Sequence, residues 1–159
     1  MLEGIAPPVT KRPPHGFHAV RLDANGRLKM PAKVVEYLQL LEDKILFATY
    51  FQGLPRIFAN GSWERYLAKL DGDRALKKRI AFYCESVGAD VELDKQDRLT
   101  LPPQLREEAK LGEQVLRLRF DQDDVITLYP EESFKAKQQE FLPSLGQDQE
   151  RAASMGFDL

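Results

Sequence analysis

Two arginines, Arg27 and Arg98, each stand four residues after an aspartate, Asp23 and Asp94, and four residues before a proline, Pro31 and Pro102. A guanidinium placed just past a turn can hold a phosphate or take a guanine edge bidentately in a major groove. It can equally close an ion pair with the aspartate behind it and brace the turn. Exposed pairs of that kind contribute under about 1 kcal/mol, which is a weak reason for the same pair to occur twice. The two roles can coexist. Around Arg27, alternation puts Arg21 and Lys29 on the same outward face, whereas Glu92 and Thr100 take the matching places around Arg98. Counterion release grows with the number of cationic contacts. On that basis the first copy is expected to supply more of any affinity for a polyanion, and Arg27→Ala to weaken it more than Arg98→Ala. Lys33, opening the following helix, either reaches phosphate or is simply solvated.

The elements around these arginines repeat as well. A shift of 71 positions, the distance from Arg27 to Arg98, also lays Val20, Leu22, Leu28, Glu36 and Leu40 on Val91, Leu93, Leu99, Glu107 and Leu111 without a gap. It still carries Phe58 onto Tyr129 and Trp63 onto Phe134. A register unbroken over so long a stretch is an internal duplication. Val20, Leu22, Leu28 and Met30 alternate with polar residues, the period of a half-buried strand. Asn25-Gly26 between them signals a tight hairpin with positive φ. Pro31 then ends the strand and suits the first turn of a helix through Val34, Val35, Leu38 and Leu41. Each unit thus reads strand, turn, strand, helix, strand, strand, then a helix. The second turn has Asp97 where the first has Gly26, at a cost of ~1 kcal/mol in left-handed geometry. The stripes Trp63, Tyr66, Leu67, Leu70, then Leu76, Ile80, Tyr83, and later Phe134, Gln138, Phe141, Leu142 read as core packing.

One unit alone leaves strand edges unpaired; two units can pair with each other and close a small barrel within one chain. The stretches "LDANGRLKMPAKV" and "VGADVELDKQDRLTLPPQLRE", with the helical segment between them, resemble the MraZ family over roughly residues 16–142. That family is built of two tandem AbrB-like, swapped-hairpin units. The resemblance implies a mixed, β-rich fold in which two β-β-α-β-β units form a double-split barrel with connecting helices. It implies a first unit with its helix at 16–72, a connecting helix at 73–87 and a second unit with its helix at 88–142. Residues 1–15 and 143–159 read as flexible tails. The resemblance further implies a cytoplasmic, nucleoid-associated regulator that assembles into a homo-oligomeric ring. Its partner would be double-stranded DNA, in repeated boxes upstream of the division and cell-wall gene cluster, which it would repress. The family's signature arginines fall on Arg27 and Arg98 and its paired acids on Asp23 and Asp94. The Pro-rich extension before Gly16 and Asp97 in place of glycine depart from the usual pattern.

Composition narrows the remaining classes. Lys and Arg total 23 against 25 Asp and Glu, for a net charge of −2, which argues against a general polyanion binder. The cations concentrate between Lys11 and Lys33, whereas acids dominate from Asp121 onward, so an anion-binding surface would be local and N-terminal. A body of acidic balance also leaves open an oligomeric AbrB-like interaction module that has lost DNA binding. No apolar run is long enough to span a bilayer, and the N-terminus lacks the apolar core of a signal peptide. Cys84, the lone cysteine, excludes an intramolecular disulfide and reads as a packing residue. His15 and His18 without further ligands are a weak zinc signal. Lys11 and Arg12 read as a basic arm or as a tail without a target, and Arg74, Lys77, Lys78 and Arg79 as the wet face of a helix. No phosphate-cradling glycine motif, nucleophile elbow or paired catalytic acids occur. The chain is not expected to be an enzyme, and neither a cofactor, a metal nor a small-molecule substrate is expected.

Overall fold

A computed structural model describes residues 12–159. Lys11 and most of the expected N-terminal tail therefore lie outside the described residues. The first unit runs β1 (His18–Leu22), β2 (Arg27–Lys29), α1 (Ala32–Leu40), β3 (Leu46–Phe51), β4 (Leu54–Phe58) and α2 (Ser62–Ala68). After α3 (Arg74–Ser86), the second repeats the order as β5 (Ala89–Val91), β6 (Arg98–Thr100), α4 (Pro103–Glu108), β7 (Gln114–Phe120), β8 (Val125–Pro130) and α5 (Glu131–Phe141). A final helix, α6, spans Leu145–Ser154.

The eight strands form one antiparallel sheet in the order β5-β3-β4-β8-β7-β1-β2-β6. Consecutive strands β5 and β6 end up at its opposite edges, because each unit lends strands to the other: β1 pairs with β7, β2 with β6 and β3 with β5. The nearly closed barrel expected of a swapped-hairpin pair is the fold of this chain. Its interior is filled by the apolar member of each alternation. Leu28 and Leu99 oppose each other directly across β2 and β6 and are fully buried. Leu22, Leu116, Leu118, Ile57, Ile126 and Leu128 complete the same core. Both units contribute to this one core, and each side chain covered in it contributes roughly 1.5–3 kcal/mol relative to exposure.

The helices answer less well to the apolar stripes. Trp63 packs on Phe47 and Phe58, with ring centroids 4.8 and 5.1 Å apart. Leu67, Leu70, Leu76 and Ile80, however, are only half-buried, and Phe141 and Leu142 are exposed. The strands already fill the barrel, which leaves α2, α3 and α5 a peripheral seat. The segment 143–159, read as a tail, is helical over Leu145–Ser154. Its run of Gln, Glu, Arg and Ala has high intrinsic helix propensity, and the Ser144 hydroxyl bonds Asp148 at 2.8 Å. It has no buried residue, so no strong apolar signal marked it.

The two turns confirm only part of the Asn-Gly expectation. Gly26 has φ +80°, but Asn25 is not among the positive-φ residues. Gly26 N donates to Asp23 O at 3.0 Å, a type I turn followed by a left-handed residue rather than a two-residue loop. Asp97 occupies the same place at φ +60°. Asp97→Gly should therefore raise unfolding stability by about 0.5–1 kcal/mol through relief of left-handed strain, read as a higher urea midpoint at unchanged slope. A lower midpoint would mean that the Asp97 side chain contributes more than its backbone costs.

Candidate nucleic-acid interface

Each aspartate of the repeat organises its own turn. Asp23 Oδ1 accepts from the amides of Asn25 and Arg27, both at 2.9 Å, and Oδ2 accepts from Arg27 Nε at 2.8 Å. Asp94 does the same with the amides of Gln96 and Arg98 at 2.8 and 2.9 Å and with Arg98 Nε at 3.0 Å. Two turns seventy-one residues apart (98 − 27) thus share every bond. The amide of the arginine, more than its guanidinium, draws each carboxyl below the usual carboxylate range. Since the folded values are depressed, the brace is fully present above the unfolded value of about 3.9 and is lost as pH falls through the folded ones. In a carboxyl-carbon NMR titration, Asp23 and Asp94 should titrate below the ordinary aspartate value. Titration of either at or above the ordinary value would show that the turn is not held this way.

The turns also hold each other. Met30 N donates to Asp97 O at 3.0 Å, and Leu101 N donates to Gly26 O at 2.8 Å. Between these links runs the two-stranded ribbon of β2 and β6, with Arg27 opposite Thr100 and Lys29 opposite Arg98. Leu28 and Leu99 point into the core, so Arg27, Lys29, Arg98 and Thr100 stand on the outer face. The β1–β2 register, Leu22 opposite Leu28, carries Arg21 to the position beside Lys29. Arg21, Lys29 and Arg98 therefore form one row. This changes what the sequence led us to expect: the extra cations of the first copy stand in the row of the second copy's arginine, because the strands are exchanged. Arg27 stands in the other row, with Thr100.

In both arginines only Nε is engaged; neither the Arg27 nor the Arg98 terminal amines have a side-chain or backbone partner among the described residues. Their side chains are 35% and 31% exposed, so each guanidinium is oriented by its aspartate and still presents its outer edge. Lys29 Nζ donates to Gln96 O in the second turn. Arg21 lies 3.5 Å from Glu113, both well exposed. Lys33 is placed apart from the ribbon, at the start of α1, where it lines a cleft with Arg12, His15, His18 and Glu36.

One cation the sequence reading passed over is Arg106 of α4. Its guanidinium covers Gly26 so closely that a Cβ built there would lie 2.5 Å from Arg106 Cζ, and its Nε donates to Leu101 O at 3.2 Å. Arg106 corresponds to Val35 in the first unit, so no repeated feature pointed to it. Cys84 is buried, and burial raises its thiol. Among the described residues no cluster of three or more His, Cys, Asp or Glu is arranged for a metal ion. None of the described helices is long and apolar enough to cross a membrane.

The family described as MraZ protein, putative antitoxin-like, matches residues 88–155. A transcriptional regulator MraZ of Koribacter versatilis is 34% identical over 70% of this chain and 79% of that protein. One of Ralstonia pickettii is 35% identical over 65% of this chain and 73% of its own. One of Acidobacterium capsulatum is 29% identical over 89% of this chain and 98% of its own. The similarity spans both copies of the hairpin, and with it this chain belongs to the MraZ family.

Proposed function

We propose that this protein is a sequence-specific DNA-binding transcriptional regulator, and that the β2–β6 ribbon is the surface that reads DNA. The observation that carries this reading is the pair of arginines whose Nε is fixed while the terminal amines stay open. A guanidinium used only to brace a turn has no need of an exposed outer edge in both copies. Preorganised in this way, it loses little freedom on contacting phosphate or a guanine edge. Arg21, Lys29 and Arg98 add backbone contacts in one row, with Lys33 a more distant contributor. The names carried by the MraZ relatives agree with a regulator.

The finer assignments follow from the same reading. One short cationic ribbon on a body of net charge −2 binds DNA weakly by itself. Many copies in a ring convert weak contacts into avidity when the boxes repeat at matching spacing. We place this regulator in the cytoplasm at the nucleoid, repressing the division and cell-wall gene cluster through repeated upstream boxes.

The test is fluorescence anisotropy with the DNA upstream of the protein's own gene, titrated over salt against random competitor, with the oligomeric state taken by native mass spectrometry. Selective binding that weakens steeply with salt is expected. A folded oligomer without selective binding would favour the other reading, an interaction module of the same fold, in which the Asp23–Arg27 and Asp94–Arg98 pairs are braces only.

A further inference from the structure

At the far end of the β4–β8–β7 stretch of the sheet lies an open cleft of about 930 Å³. One wall is the Arg12–Gly16 segment, and the other includes Phe58 and Tyr66. Register sets two of its arginines on either side of one buried residue: Arg56 of β4 is opposite Thr127 of β8, which is opposite Arg119 of β7. Drug-sized and cofactor ligands occupy cavities of about 300–1,000 Å³ lined by apolar and aromatic groups with a few fixed polar ones. Here three of the polar groups are cationic. Among the described residues, Arg12, Arg56 and Arg119 share the lining with a single carboxylate, Asp121, on a protein whose net charge is negative.

Arg56 is held by uncharged groups, whereas Arg119 stands beside a carboxylate. Arg56 donates Nε to Phe51 O at 3.1 Å and Nη1 to Thr127 Oγ1 at 3.0 Å, a carbonyl and a hydroxyl. Thr127, itself buried, passes the chain on by donating to Asp121 Oδ2. Arg119 Nη1 lies 3.6 Å from the other oxygen, Asp121 Oδ1, so these two share a loose ion pair. Arg119 is further steadied over the Phe17 ring, 5.5 Å from its centroid. Two oriented guanidiniums, with Phe51, Phe58, Tyr66 and Phe120 in the same lining, match a ligand that has both a planar apolar face and a phosphate.

We propose that this cleft binds a nucleotide, with its phosphates on Arg56 and Arg119 and its base among the aromatic side chains. The site is separate from the ribbon in residues and strands, and it does not rest on the DNA reading. It gives the regulator a place for a small-molecule effector.

The experiment uses the full chain and the fluorescent probe N-methylanthraniloyl-ATP, followed by anisotropy, with unlabelled ATP and inorganic pyrophosphate as competitors. Saturable binding with Kd below about 100 μM is expected, equivalent to roughly 5–6 kcal/mol. Arg119→Gln, at an exposed position, should weaken it at least tenfold at unchanged melting temperature, as should Arg56→Gln where the variant remains folded. Arg27→Ala should leave it unchanged, and ATP should compete at least tenfold better than pyrophosphate. No saturation by about 1 mM (~4 kcal/mol) would overturn the proposal, as would equal binding by folded Arg119→Gln. Loss in Arg27→Ala would move the anion to the ribbon, and equal competition by pyrophosphate would remove the base; either result overturns the nucleotide assignment.

Discussion

Replacing Arg27 and Arg98 together with alanine should lower affinity for target DNA at least about 30-fold, from twice the ~1 kcal/mol lower bound for a guanidinium that reads a base. The fold should survive. Each side-chain pair is half-exposed at the surface, where such pairs contribute about 1 kcal/mol or less, while Asp23 and Asp94 keep their two backbone amides. Circular dichroism and native mass should therefore match the wild type, which separates lost contact from lost structure. The single variants carry a sharper expectation. Because Lys29 is opposite Arg98 and Arg21 continues that row, phosphate is best held beside Arg98. Arg98→Ala should then lose at least as much as Arg27→Ala, the reverse of what the sequence alone suggested. A double variant that binds as tightly as the wild type would leave both arginines as braces. A loss confined to Arg27→Ala would place the contact at the first turn alone.

That reversal shows where the sequence stops being readable. Alternation at Val20, Leu22, Leu28 and Met30 told which side chains face inward, and all four are buried. The duplication told that Leu99 would do the same. Neither could tell that Leu28 opposes Leu99 or that Lys29 opposes Arg98, because inter-strand register is fixed by contacts between units, not by any pattern within one. The aspartates were legible for a local reason: an Asp four residues before an Arg can reach only its own turn. Arg106 on Gly26 was not legible, since it joins the helix of one unit to the turn of the other and has no counterpart in the repeat. The helical stripes misled in the opposite sense. Periodicity reports that a face is apolar, and here the barrel had already been filled by strands, so that Leu67, Leu76 and Ile80 reach only partial cover. Helix α6 was missed because its helix propensity is high but none of its residues is buried.

Gly88→Ala should be among the most damaging single changes outside the ribbon, with a loss of about 3 kcal/mol, the upper end of overpacking costs. Gly88 lies between α3 and β5, where the chain passes from the connecting helix into the second unit. It is buried, and a Cβ built on it would be 2.5 Å from Ala48 O, 2.7 Å from Cys84 O and 2.8 Å from Thr49 Cβ. Two of these are backbone oxygens and cannot swing aside as a side-chain tip can. Ala48 is opposite Ala89 in the β3–β5 pairing, so relief requires moving β5 off β3 or lifting α3. Either movement strains the Thr49 hydroxyl, fully buried and donating to Cys84 O at 2.6 Å. It also strains the bond from Gln104 Nε2 to Gly88 O at 3.0 Å, which ties α4 to the same point. For a domain of this size the loss corresponds to a fall in Tm of about 6–12 °C. Gly72→Ala is the control: among the described residues no atom lies within 4 Å of its Cβ position, and its Tm should stay within about 2 °C of the wild type, as for surface changes generally. Equal melting of the two variants would mean that β5 is free to shift, and that the seam between the units is looser than the shared core implies. A selective loss at Gly88 would locate the constraint on that seam, where an added methyl forces the second unit away from the first.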